Sequence, residues 1–123
     1  MRIRPEKVAH MMRREVADIL EHKLNDPRIS TTVTVTDVEV TQDLSFARIY
    51  VAMSATESAR KGVMDALQHA AGFVRRELGH RMELREVPGI RFEYDASLDR
   101  GARVDEILKK IERGEVPEDD SEA

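Results

Sequence analysis

The hydrophobic pattern switches early from a helical period to a two-residue alternation, and that switch constrains the fold of this chain more than any other feature. Apolar residues first recur at Val8, Met11, Met12, Val16, Ile19, Leu20 and Leu24, the three-and-four spacing of one helical stripe. Pro5 suits the first turn of that helix, where its missing N–H costs nothing, and Asn25-Asp26-Pro27 stops it. The spacing predicts a helix over residues 5–24. The next stretch, Thr31 to Val40, is β-branched and alternating, as a half-buried strand is. Its apolar phase is odd at Val33 and Val35 but even at Val38 and Val40. A β-bulge near Thr36-Asp37 would return both pairs to one face. Thr41-Gln42-Asp43-Leu44 reads as a hairpin turn, and Phe46 to Met53 as the antiparallel partner strand.

Downstream, Thr56 is placed to cap a helix carrying Val63, Met64, Leu67, Ala70 and Ala71. Gly72 interrupts the line before Phe73, Val74 and Leu78 resume it. Two readings stand: one long helix containing a glycine, or two helices meeting at a bend near Gly72. Ile90, Phe92 and Tyr94 alternate as a third strand, and Ser97 would cap a last helix lined by Val104, Ile107, Leu108 and Ile111. The expected order is α-β-β-α-α-β plus an extra C-terminal helix, an α+β fold with helices on one face of a three-stranded sheet. Met11, Met12 and Met64 are expected to fill its core.

Composition then removes whole classes of function. The 123 residues make one domain, expected over 1–113, followed by a short acidic disordered tail over 114–123. From Asp105 onward eight acids face three bases, a balance of −5 within a net charge of −4, so the body carries +1. Absence of cysteine excludes disulfides, thiolate metal sites and cysteine nucleophiles, and fits a reducing cytosol. No run approaches the ~18 apolar residues of a membrane span. The charged start, Arg2 to Lys7, argues against a cleavable signal peptide, so a cytoplasmic protein without membrane contact is expected. His10, His22, His69 and His80 share no metal-ligand spacing, and there is neither a glycine-rich phosphate loop nor a nucleophile elbow. No enzymatic activity, cofactor, metal or small-molecule substrate is expected. Aromatic residues are only 4% of the chain, too few for a stacking platform, so a nucleic-acid partner would be held by backbone charge and close main-chain approach.

The element order is that of KH domains of the bacterial type, and from Ile3 to Leu108 the chain resembles the ribosome-binding factor A family. The resemblance is carried by Asp26-Pro27-Arg28, by Val38-Glu39-Val40-Thr41-Gln42-Asp43-Leu44 and by Ala47-Arg48-Ile49-Tyr50-Val51. It continues through Ala70 to Gly79, Leu84-Arg85, Pro88, Arg91-Phe92, Asp95-Ala96-Ser97 and Gly101-Ala102-Arg103-Val104-Asp105. Ordinary KH domains clamp a nucleic-acid backbone with a Gly-x-x-Gly loop. This chain has none at that junction; Ala70-Ala71-Gly72 stands there, similar to the Ala-x-Gly kink of the family. The resemblance implies a type II KH-like fold. It also implies binding to the immature small (30S) ribosomal subunit and its ribosomal RNA near the neck, with a role in late maturation and rRNA processing, above all in the cold.

The residues themselves point the same way without requiring it. Small side chains at Ala70, Ala71 and Gly72 let a phosphate approach the main chain, and the N–H groups opening a second helix there would face it. Arg75 and Arg76 follow within one turn, each able to neutralise a phosphate. The bland reading is that Gly72 relieves a tight helix–helix contact and the arginines are solvated. Arg2, Arg4 and Lys7 crowd positive charge onto a helix N-terminus, where the dipole favours acids, which hints at an external anion. Arg81, Arg85 and Arg103 would extend the basic face, although Glu83, Glu86, Asp99 and Asp105 offer each an intramolecular ion pair. The expectation is a monomeric RNA binder of the small subunit. The alternative is a small α+β protein-interaction module acting through its sheet.

Overall fold

The computed structural model describes residues 4–30, 33–97, 111, 112 and 114. Its elements are helices α1 (Pro5–His22) and α2 (Pro27–Ser30), strands β1 (Val33–Val40) and β2 (Phe46–Met53), helix α3 (Glu57–Arg81) and strand β3 (Gly89–Tyr94). The sheet order is β1-β2-β3, with β1 and β2 antiparallel and β2 and β3 parallel. Parallel neighbours need a crossover, which α3 supplies.

Pro5 opens α1, and the Arg4 carbonyl accepts from the N–H groups of Lys7 and Val8 at 3.1 Å. Val8, Met12, Val16, Ile19 and Leu20 form its buried stripe. Met11, expected in the core, is 38% exposed. Met12 takes the inward position, and one residue's rotation of about 100° turns its neighbour toward water. Asn25-Asp26-Pro27 does more than end α1: Asp26 accepts from the Arg28 backbone N–H at 3.0 Å and so starts the single turn of α2. That turn, which the sequence did not announce, sets Ile29 into the core at 2% exposure.

The bulge is where the valine phase requires it. Register shifts between Val35 and Asp37, and Thr36 is the extra residue. Its hydroxyl donates to the Asp95 carboxylate at 2.7 Å, tying the bulge to the end of β3. The Val33–Val40 pairs then share the inner face with Ala47, Ile49, Val51 and Phe92. In the hairpin, Asp43 accepts from the Ser45 hydroxyl at 2.7 Å, the Thr41 hydroxyl at 2.8 Å and the Ser45 N–H at 3.1 Å. That network holds Leu44 at φ 62, a left-handed conformation costing a leucine about 1 kcal/mol.

The open face of the sheet is ionic. Tyr50 donates its hydroxyl to Glu39 at 2.9 Å, and Arg48 lies 3.6 Å from Glu93. Phe46, 36% exposed, is the large apolar residue on that face among the described ones, and its ring lies 3.6 Å from where a Cβ on Gly89 would stand.

Thr56 caps α3, accepting from the Ala59 N–H at 3.2 Å. The helix then runs unbroken to Arg81, through Gly72. Of the two readings of this region, the single helix is the one adopted, so the element order is α-α-β-β-α-β with one turn of helix before the sheet. A glycine in a helix costs roughly 0.5–1 kcal/mol, less than α3 recovers by burying Val63, Leu67, Val74 and Leu78. The helix expected from Ser97 onward and the acidic tail lie outside the described residues, save Ser97, Ile111, Glu112 and Gly114.

Candidate nucleic-acid interface

Continuity of α3 changes the chemistry expected at Ala70-Ala71-Gly72. No second helix opens there, so the main-chain N–H groups face carbonyls one turn back and are not free for a phosphate. The three small residues also separate by direction. Ala71 packs against the core, Ala70 is half-buried, and Gly72 is exposed.

A Cβ built on Gly72 meets, within 4 Å, just one described neighbour, the Arg76 Nη1 at 3.7 Å. That is ordinary contact with the far end of a flexible side chain. Among the described residues, Gly72 therefore relieves no helix–helix contact. Gly79 differs: its Cβ would stand 3.2 Å from a Val87 methyl, so that glycine serves the packing of the loop after α3. An exposed helical glycine that no other described element packs against leaves the local helix surface bare.

The arginines divide in the same way. Arg75 donates to the Val87 carbonyl through Nε at 3.2 Å and Nη2 at 2.8 Å, so part of its guanidinium holds the loop that leads into β3. Arg76 is exposed and makes no hydrogen bond or ion pair with another described residue. Arg81, a candidate RNA contact on sequence, is an internal strut. Its Nη1 lies 2.7 Å from Asp18 and 3.1 Å from Glu15 of α1, its Nε lies 3.8 Å from Glu77, and its side chain is 21% exposed. The Arg81 guanidinium, and after it His22 at 2.9 Å, holds the Asp18 carboxyl below its ordinary range.

Arg4 and Lys7 are exposed at the start of α1, and Arg85 is exposed between α3 and β3. Pairing of Phe46 with Gly89 and of Val40 with Ala47 puts the starts of β2 and β3 at the same end of the sheet as the finish of β1. The first turn of α1 lines a cleft of about 550 Å³ with Val40 and Gln42. Arg4, Glu6 and Lys7 thus lie at the end of the molecule where β3 starts, while Arg85 is exposed in the loop before it with Glu83 and Glu86 close in the chain. Arg2 and Arg103 lie outside the described residues. The field at that end is mixed, and the back of α3 at Gly72 and Arg76 is the place where a bare helix surface and an uncommitted cation coincide. Among the described residues no group of three or more His, Asp or Glu is placed to hold a metal, and no helix is long and apolar enough to cross a membrane.

A family model described as ribosome-binding factor A matches residues 4–108. The chain belongs to that family. It is 44% identical over 113 residues to the ribosome-binding factor A of Desulforamulus reducens, covering 92% of this chain and 93% of that one. Identity to the Acetivibrio thermocellus member is 39% over 107 residues, 87% of each chain. Among solved structures, the crystal structure of ribosome-binding factor A from Thermus thermophilus superposes with a TM-score of 0.64 at 26% identity, covering 73% of this chain and 94% of that one. A homology model of the Thermus thermophilus protein, as fitted into a cryo-EM map of its complex with the 30S subunit, gives a TM-score of 0.61 at 26% identity, over 72% of this chain and 91% of that one.

Proposed function

We propose that this protein is a non-enzymatic assembly factor that binds the immature small ribosomal subunit, contacts its ribosomal RNA near the neck, and promotes late maturation and rRNA processing, above all in the cold. The observation that carries the reading is the back of α3. Among the described residues nothing packs on Gly72 but the end of the Arg76 side chain, and Arg76 itself makes no hydrogen bond or ion pair there. Family membership supports the subunit as partner, since the Thermus relative has been placed in a map of a 30S complex. The mechanism is occupancy. A monomeric cytoplasmic domain holds an RNA segment in one arrangement and leaves when the mature arrangement removes its site. The ionic open face of the sheet gives no support to a partner held by an apolar sheet surface.

Co-sedimentation with isolated small subunits, large subunits and whole ribosomes across a salt series tests the reading. The expected result is selective pelleting with small subunits that weakens steeply as salt rises. Association that ignores both subunit identity and salt would overturn it.

A further inference from the structure

His69 stands one turn before Gly72 on the outermost face of α3, away from the buried Val63, Leu67, Val74 and Leu78. Its Nδ1 lies 2.8 Å from the Asp65 main-chain carbonyl. A carbonyl only accepts, so Nδ1 carries the proton of that bond, and the neutral ring presents a bare Nε2 lone pair to the outside. Protonation reverses the character of that atom. Nε2 becomes a charged N–H donor while the Nδ1 bond stays in place.

Arg76 is seven residues on, but its side chain leans toward the helix N-terminus, as helical side chains do, and brings Nη1 to 3.7 Å from the Cβ position of Gly72. Gly72 itself is only about 4.5 Å of helical rise from His69. The Arg76 guanidinium therefore reaches back over Gly72, toward the turn that carries the His69 imidazole on the same exposed face of α3.

We propose that His69, Gly72 and Arg76 form one phosphodiester-binding element of α3, with protonated His69 as its second cation. The proposal rests on the reading of α3 as the RNA face and adds a contact to it. Gly72 gives the oxygens room, Arg76 supplies a permanent charge, and His69 repels the group when neutral and donates to it when protonated. Asp65, one turn before His69, opposes an anion, while Lys61 and His80 extend the line at either end. From other elements, α2 brings Arg28, paired with Asp26, to 4.0 Å from the Cβ position of Gly62, seven residues before His69.

The test is the affinity of the full chain for isolated small subunits at about pH 6 and pH 8 at constant ionic strength, for the natural protein, His69→Asn, His69→Lys and Arg76→Glu. Asparagine keeps a donor for the Asp65 carbonyl but takes no proton. Binding by the natural protein should tighten about fivefold more on acidification than binding by His69→Asn, and His69→Lys should bind tightly at both values. A His69→Asn variant with the natural pH ratio overturns the proposal. If Arg76→Glu still loses binding in that case, the RNA face on α3 stands without His69. If Arg76→Glu binds like the natural protein at both values, that reading of α3 falls as well. Both positions are exposed, and thermal melts establish that each of the three variants is folded.

Discussion

Two stretches of α3, a few residues apart, use the same residue types for opposite purposes. Gly79 and Arg81 belong to a seam: the glycine makes room for Val87, and the arginine is held by Glu15, Asp18 and Glu77. Gly72 and Arg76 belong to the back of the helix, where neither has a partner in another element among the described residues. The difference teaches that residue type and local spacing do not assign a role. What decides is whether the fold already accounts for the residue, and at Gly72 and Arg76 no other described element does.

Charge reversal should separate the two regions most sharply. Arg81→Glu would place a fourth acid among three carboxylates, and denaturant unfolding should register a loss of about 2 kcal/mol. Arg76→Glu should leave the unfolding midpoint in place while weakening small-subunit association about tenfold and flattening its salt dependence. Equal stability losses from the two reversals would erase the distinction between seam and back.

The glycines give a finer version of the same comparison. Gly72→Ala should raise stability by about 0.5–1 kcal/mol, the usual gain for alanine in an exposed helix. Gly79→Ala should gain nothing or lose, because the new methyl meets Val87 at 3.2 Å. On subunits the order reverses: Gly72→Ala should bind less well than Gly79→Ala despite its firmer fold.

Acid offers the smallest effect. Asp18 titrates below its ordinary range because Arg81, then His22, favours its charged form. Its stabilisation is complete above the ordinary aspartate pKa and is lost as pH falls through the lower value of the folded state. Melts between about pH 2 and 5 should show a shallower acid limb for Asp18→Asn than for the natural chain. Asp26, Asp43 and Asp95 are lowered too, by Arg28, by Ser45 then Thr41, and by Ser97 then Thr36, so the limb should flatten without vanishing.

The sheet was legible in the sequence because its signals are local. A phase jump between Val35 and Val38 demands a bulge whatever surrounds it, and Thr56 caps α3 with its own side chain. Gly72 was ambiguous because its local cost is small beside the burial energy of a 25-residue helix, which the pattern does not rank. α2 is hidden in the sequence because Asp26-Pro27 carries the local signal of a helix end and also starts another helix. The arginines were least legible. Arg81 meets Glu15 and Asp18 across 66 and 63 residues of chain, and Arg75 meets the carbonyl of Val87, contacts set by tertiary packing alone. His69 has no metal-ligand spacing to mark it, although its position one turn from Gly72 is readable in the sequence.

The chain has no cysteine, so a single introduced thiol reports one place. A spin label on Asp65→Cys, one turn before His69 on the back of α3, and another on Arg91→Cys, on the open face of the sheet, would be compared with and without small subunits. If the back of α3 is the RNA face, subunits immobilise the label at position 65 and leave mobility at 91 unchanged. Immobilisation at 91 with free motion at 65 would contradict it.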